Sequence, residues 1–486
     1  MATTESRPAS SLDDGAAIAE LEEVVARQRA AFLADPFPSL EERRQLLGAL
    51  AGMLMSHRTQ IQQALSSDFA VHPPLAADLI EVLGPAGRAV YAAEQLPGWM
   101  EPEPRAADSV LYGSGRAFVQ PQPKGVIGNI VPWNFPFDLS VGPLIEMLAA
   151  GNRVVIKPSD YTPACAELLR EMVHETFERD RVEVVVGGLE LAQAFTRVRW
   201  DHLLYTGSPA IGREVAKAAA EQLVPVTLEL GGKCPAIIAP DSVDAESIKQ
   251  VLATKAIKNG QMCISVDYCL VPRERLDDFA DLAAAHVRES MPGYCTSESC
   301  TGIISSRHLE RIEQLLEDAR ARGADVRPLE DAGEADRASR QLPMSLVIDP
   351  PDDLGLMREE IFGPVLPIKA YDSIEEAVQY VNGGERPLAL YVFAKDQKLA
   401  DDVLQRTTSG GACVNSAAVH GALASLPFGG TGQSGSGRHH GLEGFREFSN
   451  LRGVFVRGEG DMIEAFAPPY GPAAQAVADA AFAQAG

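Results

Sequence analysis

Early in the chain the apolar residues fall at helical spacing. From Val126 onward they gather instead into short runs. Leu46, Leu50, Leu54, Ile61 and Leu65 put one apolar stripe along a helix. Ser39-Leu40-Glu41-Glu42 predicts where that helix starts, because a serine with glutamate three residues later can cap free amides reciprocally. Pro102, Pro104, Gly113 and Gly115 then interrupt the pattern. Beyond them, the apolar runs Val126–Val131, Val154–Ile156, Val182–Val186, His202–Tyr205 and Val226–Leu230 alternate with helix-length segments beginning near Leu139, Pro163, Leu189 and Pro209. Buried strands alternating with helices predict an α/β fold with a parallel, Rossmann-like sheet. After Gly260 a second α/β alternation follows. Strand-like Tyr268–Val271, Val365–Ile368, Leu388–Phe393 and Ala412–Asn415 interleave with helix-like Leu276–Glu289, His308–Arg322, Ile374–Asn382 and Leu399–Thr408.

Ligands of parallel sheets sit beyond the carboxyl ends of the strands. That rim should carry Pro132-Trp133-Asn134, Lys157-Pro158-Ser159-Asp160, Thr206-Gly207-Ser208 and Gly231-Gly232-Lys233. The two alternations read as two domains facing each other across a cleft. No repeat at solenoid spacing is present.

Charge and composition narrow the function classes. With 486 residues, the chain can build two or three domains with substantial cores. A net charge of -24 repels phosphate backbones and anionic lipid, so neither nucleic acid nor a membrane surface is an expected partner. No apolar run approaches the roughly 20 residues that cross a bilayer. The polar start lacks a basic and apolar leader pattern, and residues 1–18 read as a disordered leader. Seven cysteines, an odd and scattered set, argue against a disulfide framework and for the cytoplasm.

One of those cysteines stands in a bend. Cys263 lies in Asn259-Gly260-Gln261-Met262-Cys263-Ile264-Ser265, where a thiol can be activated if a helix N-terminus or a base lies close. A cysteine is more often a small buried hydrophobe, and Cys165, Cys234 and Cys269 take that reading. Spacing alone does not set Cys263 apart from them. Its neighbours do.

Glu229-Leu230-Gly231-Gly232-Lys233, followed by Gly260-Gln261-Met262-Cys263, resembles the aldehyde dehydrogenase superfamily. Pro132-Trp133-Asn134-Phe135-Pro136, Lys157-Pro158-Ser159, Thr206-Gly207-Ser208 and Glu359-Glu360-Ile361-Phe362-Gly363-Pro364 resemble its other signatures, in family order. The resemblance runs from about Leu46 to Phe448. It implies that the Cys263 thiolate attacks an aldehyde, with the Asn134 amide and the Cys263 backbone N–H stabilising the oxyanion. Hydride loss to a nicotinamide leaves a thioester, and Glu229 is the implied base for its hydrolysis. For the cofactor, the resemblance implies Lys157 at the adenosine ribose with Asp160 nearby, and Gly207 and Ser208 at the pyrophosphate. Trp133 and Gly231 border that site. Glu360 is implied at the nicotinamide ribose and Phe362 beside the ring. Relatives often carry glutamate where Asp160 stands, a residue that disfavours a 2′-phosphate. NAD is therefore the expected cofactor, with NADP possible.

Several matches are set aside. Gly430-Thr431-Gly432-Gln433-Ser434-Gly435 fits the G-x-G-x-x-G fingerprint, but it follows no clear strand and opens no helix. By the resemblance it is a glycine-rich loop near the substrate entrance. No metal site is expected, because His439-His440 and Cys295 with Cys300 lack partners at zinc spacing, and they read as surface histidines and ordinary cysteines. A CoA-acylating relative would lack the base at Glu229. A Cys–His hydrolase would need a histidine near these motifs, and only His202 adjoins one, at the wrong end of its strand. A noncatalytic relative would not keep Asn134, Glu229, Cys263 and Glu360 together.

Within the family, Tyr205-Thr206-Gly207-Ser208, Arg386-Pro387-Leu388-Ala389-Leu390-Tyr391 and Ser425-Leu426-Pro427-Phe428-Gly429-Gly430 resemble the class 3, fatty-aldehyde and coniferyl-aldehyde branch. So does His440-Gly441 with Gly444-Phe445 and Phe448-Ser449. That branch implies a bulky apolar or aromatic aldehyde, coniferyl aldehyde by preference and an aliphatic one as the alternative, and a homodimer. Asn415 keeps the family's residue, whereas Ser416 departs from the aspartate common in this branch. The expected division is 19–105 with 124–230 for NAD, 231–446 for catalysis, 106–123 with 447–457 as a small β oligomerisation arm, and 458–486 as a draped or frayed tail.

Overall fold

The computed structural model describes residues 14–330 and 336–485. Val126–Ile130, Arg153–Lys157, Val182–Val184, His202–Gly207 and Val226–Leu230 form a parallel sheet, each strand close to its expected bounds. Val126–Ile130 lies between Arg153–Lys157 and His202–Gly207, so chain order reverses direction at this central strand. Such a reversal opens a crevice at the carboxyl ends of the strands. Register aligns Ile130 with both Lys157 and Tyr205, and Thr206 with Glu229. The loops after these strands therefore open along one rim.

A second, seven-stranded sheet contains the four strands expected after Gly260, and Pro235–Ile238, Ser345–Ile348 and Asp325–Pro328 complete it. Each of these three is only four residues long, too short for alternation to reveal. Pro235–Ile238 is wholly buried between Tyr268–Pro272 and Ala389–Phe393. A third sheet pairs Arg116–Pro123 with Ser449–Val456 antiparallel, Val119 opposite Gly453, with Glu103–Arg105 on its other edge. Within the expected arm, 106–123 with 447–457, residues 109–112 form instead a short helix, Ser109–Tyr112, capped by Asp108.

The first helices depart from expectation in three ways. The presumed leader is helical from Asp14 to Ala34; the rest of it lies outside the described residues. Leu21, Val24 and Val25 bury against Val126, Val155 and Leu203, while buried Gln28 donates to the Val154 carbonyl at 3.0 Å. Those contacts order a segment whose composition looks unremarkable. Ser39 does cap Leu40–Ser56 by accepting from the Glu42 amide, but Glu42 turns its carboxylate to Arg181 at 2.5 Å instead of closing the box. Finally, the apolar stripe spans two helices, broken at His57, with Ile61 and Leu65 on Arg58–Phe69.

A π-helical turn, Ala77–Leu83, runs into the helix Gly84–Met100 and drives Asp78 and Glu81 inward. Wide turns of this kind commonly accompany functional sites. The tail is ordered too, with a short 3-10 turn at Ile463–Phe466 and a helix over Pro472–Ala485. Among the described residues no helix is long and apolar enough to cross a membrane.

Candidate active site

Cys263 is half-buried in a bend after the 3-10 turn Ile257–Gly260. Lys258 and Asn259 adopt left-handed backbone (φ 53° each), and Gly260 follows at φ 76°. A Cβ on Gly260 would lie 2.3 Å from the Gly363 carbonyl, so glycine permits the Glu360–Gly363 turn to pack against the Cys263 loop. Gln261 locks the bend by donating to the carbonyls of Lys258 (2.8 Å) and Gly302 (3.1 Å), and by accepting from the Ile304 amide (2.9 Å). Its own carbonyl accepts from Asn134 Nδ2 at 3.2 Å. An amide nitrogen carries two hydrogens, so one donor of Asn134 is left for a ligand.

A buried ion pair ties the Asn134 segment to the same loop. Lys258 Nζ stands 2.9 Å from Glu81 Oε1, with both side chains at most 1% exposed. Glu81 Oε2 accepts the amides of Phe137 (3.1 Å) and Asp138 (2.9 Å), at the start of the helix after Asn134. The ammonium also lies over the rings of Phe69 and Phe135, at 4.4 and 4.9 Å from their centroids. Glu81 reaches this position because it sits on the π-helical turn.

Nearly every residue singled out in the sequence meets in one cavity of 250 Å³. Trp133, Asn134, Gly207, Ser208, Glu229, Gly231, Cys263, Glu360 and Phe362 line it. Lys157 and Asp160 do not; they lie farther along the same rim, where the Lys157 ammonium donates to the Pro158 carbonyl at 3.1 Å. Trp133 meets Phe362 edge-on at 5.3 Å, and Phe362 itself is held at φ 53°. A Cβ on Gly231 would fall 2.0 Å from Glu360 Oε2, which makes glycine a requirement of this close approach. Ser208 caps the helix Pro209–Glu221. The aromatic slot, the N-terminus of that helix and the carboxylate beside Gly231 together suit a dinucleotide.

Burial dominates the electrostatics. It pushes the Cys263 thiol up to about 12, with the carboxylates of Glu360 and Glu229 adding to the effect. Glu229 is driven well above the ordinary carboxylate range by burial, partly offset by the Arg438 charge. Neither of its oxygens has a hydrogen-bond partner among the described residues. Burial, reinforced by the Asp267 charge, raises Glu360 to about 8. Lys233 is a strut: it pairs with Asp267 at 2.5 Å and donates to the carbonyls of Leu356 and Glu359, holding the turn that presents Glu360.

Sequence reasoning missed other wall residues. Arg311 bonds the carbonyls of Glu360 and Ile361, and His308 packs against Trp133 at 5.2 Å. They stand three residues apart on the helix Ser306–Ala321, hence on one face, which was the available signal. The expectation of surface histidines at 439 and 440 is overturned: both are buried, and His439 lines the wall of the Cys263 cavity. Within the Gly430–Gly435 segment, Gly432–Ser434 forms a 3-10 turn and Gly435 opens the short strand Gly435–Ser436, which pairs antiparallel with Val226–Leu230, Gly435 opposite Glu229; Gly429 packs against the Glu229 carboxylate. Among the described residues no cluster of three or more His, Cys, Asp or Glu is set to hold a metal.

This geometry agrees with comparison to known proteins. The aldehyde dehydrogenase family profile matches residues 14–454. The chain belongs to the aldehyde dehydrogenase family. It is 43% identical to a probable coniferyl aldehyde dehydrogenase of Caulobacter vibrioides, covering 93% of this chain and 95% of that one. It is 38% identical to a coniferyl aldehyde dehydrogenase of a Pseudomonas species, over 92% and 93%. A crystal structure of a Mycobacterium tuberculosis aldehyde dehydrogenase complexed with NAD+ superposes with a TM-score of 0.81 at 31% identity, covering 92% of each chain. The aldehyde dehydrogenase described here is thus an oxidoreductase acting on a small aldehyde with NAD(P).

Proposed function

We propose that this aldehyde dehydrogenase oxidises a bulky aromatic aldehyde of coniferyl type to its acid through a covalent Cys263 thioester. The observation that carries the reading is a second cavity, 310 Å³, that meets the first at Cys263, Leu139, Phe428 and His439. Its walls are largely apolar and include Phe135, Leu139, Met262 and Phe428. An aromatic body fits such walls while its aldehyde carbon reaches the thiol. The coniferyl aldehyde dehydrogenases among the relatives support the same substrate class.

In this mechanism the thiolate attacks the carbonyl carbon, and the resulting oxyanion accepts hydrogen bonds from the remaining N–H of Asn134 and the Cys263 backbone N–H. A bound nicotinamide supplies the hydride acceptor. Glu229, unpartnered and buried beside the thiol, takes a proton from the water that hydrolyses the thioester. NAD is the proposed partner over NADP, because the carboxylate of Asp160 near Lys157 would repel a 2′-phosphate. The six-stranded sheet belongs in this reading to the cofactor domain and the seven-stranded sheet to the catalytic one. Leu451, Phe455 and Val456 are exposed on the three-stranded sheet and support its use as a homodimer arm. Seven unpaired thiols support a cytoplasmic setting.

A second reading, an aliphatic aldehyde of medium or long chain, draws on exposed Leu79 and Val419 at the cavity rim. Steady-state rates with benzaldehyde, coniferyl aldehyde and decanal, each with NAD and NADP, separate the two. Coniferyl aldehyde with NAD should give the highest kcat/KM. A decanal preference would replace the aromatic reading.

A further inference from the structure

The second cavity is apolar except in one corner, and that corner is unusual. His439 and His440 lie there in adjacent positions, with ring centroids 4.4 Å apart and planes nearly perpendicular. Both ring nitrogens of His439 and Nδ1 of His440 are buried without a hydrogen-bond partner among the described residues. Leaving a polar atom unpaired in a protein interior is costly, so folding alone does not favour it. Packing offers no substitute reason, since each ring simply leans on Phe428, at 5.1 and 5.6 Å.

The backbone adds an independent sign. His440 is held at φ 69°, ψ 139°, a conformation that L-residues rarely adopt. Gly441 follows, its amide bonded to Glu146 Oε1 at 3.2 Å. The strain turns the imidazole into the cavity wall opposite the helix that carries Gly142. Strain retained at a cavity wall points to a ligand.

Charge decides which ligand. Arg88, the cation of this corner, is paired through Nη2 with Asp138, so the pair is neutral on balance, while its Nε has no hydrogen-bond partner among the described residues. Burial holds His439 neutral, near pKa 3, and His440 also well below its usual value. Glu146 is raised to about 8 by burial and is protonated at neutral pH. A corner neutral on balance, with one donor and one acceptor per imidazole, matches a group that both donates and accepts. A hydroxyl does so.

We propose that His439 and His440 select aldehydes whose aromatic ring bears a hydroxyl group, by exchanging hydrogen bonds with that hydroxyl. The proposal rests on the aromatic reading above and extends it from size to polarity. Phe428, in contact with both imidazoles, supplies the ring-stacking wall beside them.

The test compares kcat/KM for coniferyl aldehyde, 3,4-dimethoxycinnamaldehyde and cinnamaldehyde, with decanal as reference. The wild-type enzyme should favour coniferyl aldehyde over the two analogues without a free hydroxyl by ~10–100-fold, because those analogues leave the imidazoles unpaired. The preference should appear mainly in KM. His439→Phe keeps the packing on Phe428 and removes both nitrogens, and the ratio should fall to within about 3-fold. His440→Phe should lower it in the same direction. A ratio that survives His439→Phe would overturn the proposal. So would a wild-type enzyme that oxidises all three aromatics equally and faster than decanal, and the aromatic reading would then stand by itself. If decanal outruns every aromatic, both fall together. The wild-type ratio needs no variant, so poor folding of His440→Phe would not spare the proposal.

Discussion

Asn134 Nδ2 donates to the carbonyl of Gln261 at 3.2 Å, two residues ahead of Cys263. The proposed oxyanion donor is therefore oriented by the same loop that carries the proposed nucleophile. Asn134→Ala removes the donor and frees that carbonyl. The expected loss in kcat is on the order of 10²–10³, as for other single oxyanion donors. NAD affinity, followed by quenching of tryptophan fluorescence, should change little.

Glu229 and Cys263 should separate into two kinetic roles. Glu229→Gln should preserve a first-turnover burst of NADH and slow the steady state by about 10²–10⁴-fold, because a neutral amide cannot take the proton from water. Stopped-flow absorbance reads both phases. Loss of the burst as well would mean that Glu229 also deprotonates the thiol. The wild-type pH profile follows from the same residue. A carboxyl held well above its usual range stays protonated, and inactive as a base, until the pH rises through that raised value. Steady-state turnover should accordingly climb from neutral into alkaline pH.

The Lys258–Glu81 pair predicts a stability effect that depends on which partners are removed. Glu81→Leu or Lys258→Met alone leaves a buried charge and should cost roughly 3–5 kcal/mol. The double variant removes both charges and should recover much of that loss, although the Phe137 and Asp138 amides then lack an acceptor. Urea unfolding of the four proteins closes the cycle. Additive losses would show that the two charges do not depend on each other.

The meeting of the motifs at one rim was legible because each motif is local. Trp133, Asn134, Gly207, Ser208, Glu229 and Gly231 follow strand ends that hydrophobic runs reveal, and parallel register then brings those ends to one rim. What stayed hidden depends on distant pairing. Glu81 reaches Lys258, in the loop ahead of Cys263 and 177 residues away in sequence, only because a π-helical turn faces it inward. His439 looked like a surface residue because its neighbours Ser436, Gly437 and Arg438 are polar or flexible; the bridge between Phe428 and His439 draws it in. The helix at Asp14–Ala34 was missed for a similar reason, since its order comes from packing on strands more than a hundred residues away.

Glu146 carries a pH-dependent cost. Burial raises it from an ordinary 4.5 to about 8. Between those values the unfolded chain releases the proton and the folded chain keeps it, so stability falls as pH rises through that window. Glu146→Gln keeps an oxygen for the Gly441 amide and removes the titration. Its melting temperature should exceed that of the wild type at pH 8, by on the order of 1–3 °C, and the gain should shrink toward pH 4.5. A gain that is flat with pH would contradict this assignment.

Close packing at Gly231 should be equally exacting. Gly231→Ala sets a methyl 2.0 Å from Glu360 Oε2 and must displace that carboxylate. KM for NAD should rise roughly 10-fold or more, since small misplacements in positioning groups are costly. Initial rates at varied NAD measure it.

The covalent role of Cys263 is tested most directly by Cys263→Ala, assayed for NADH formation and for NAD binding in the same preparation. The account predicts no aldehyde-dependent NADH above background, with NAD affinity close to that of the wild type. Turnover that persists in this variant would contradict it.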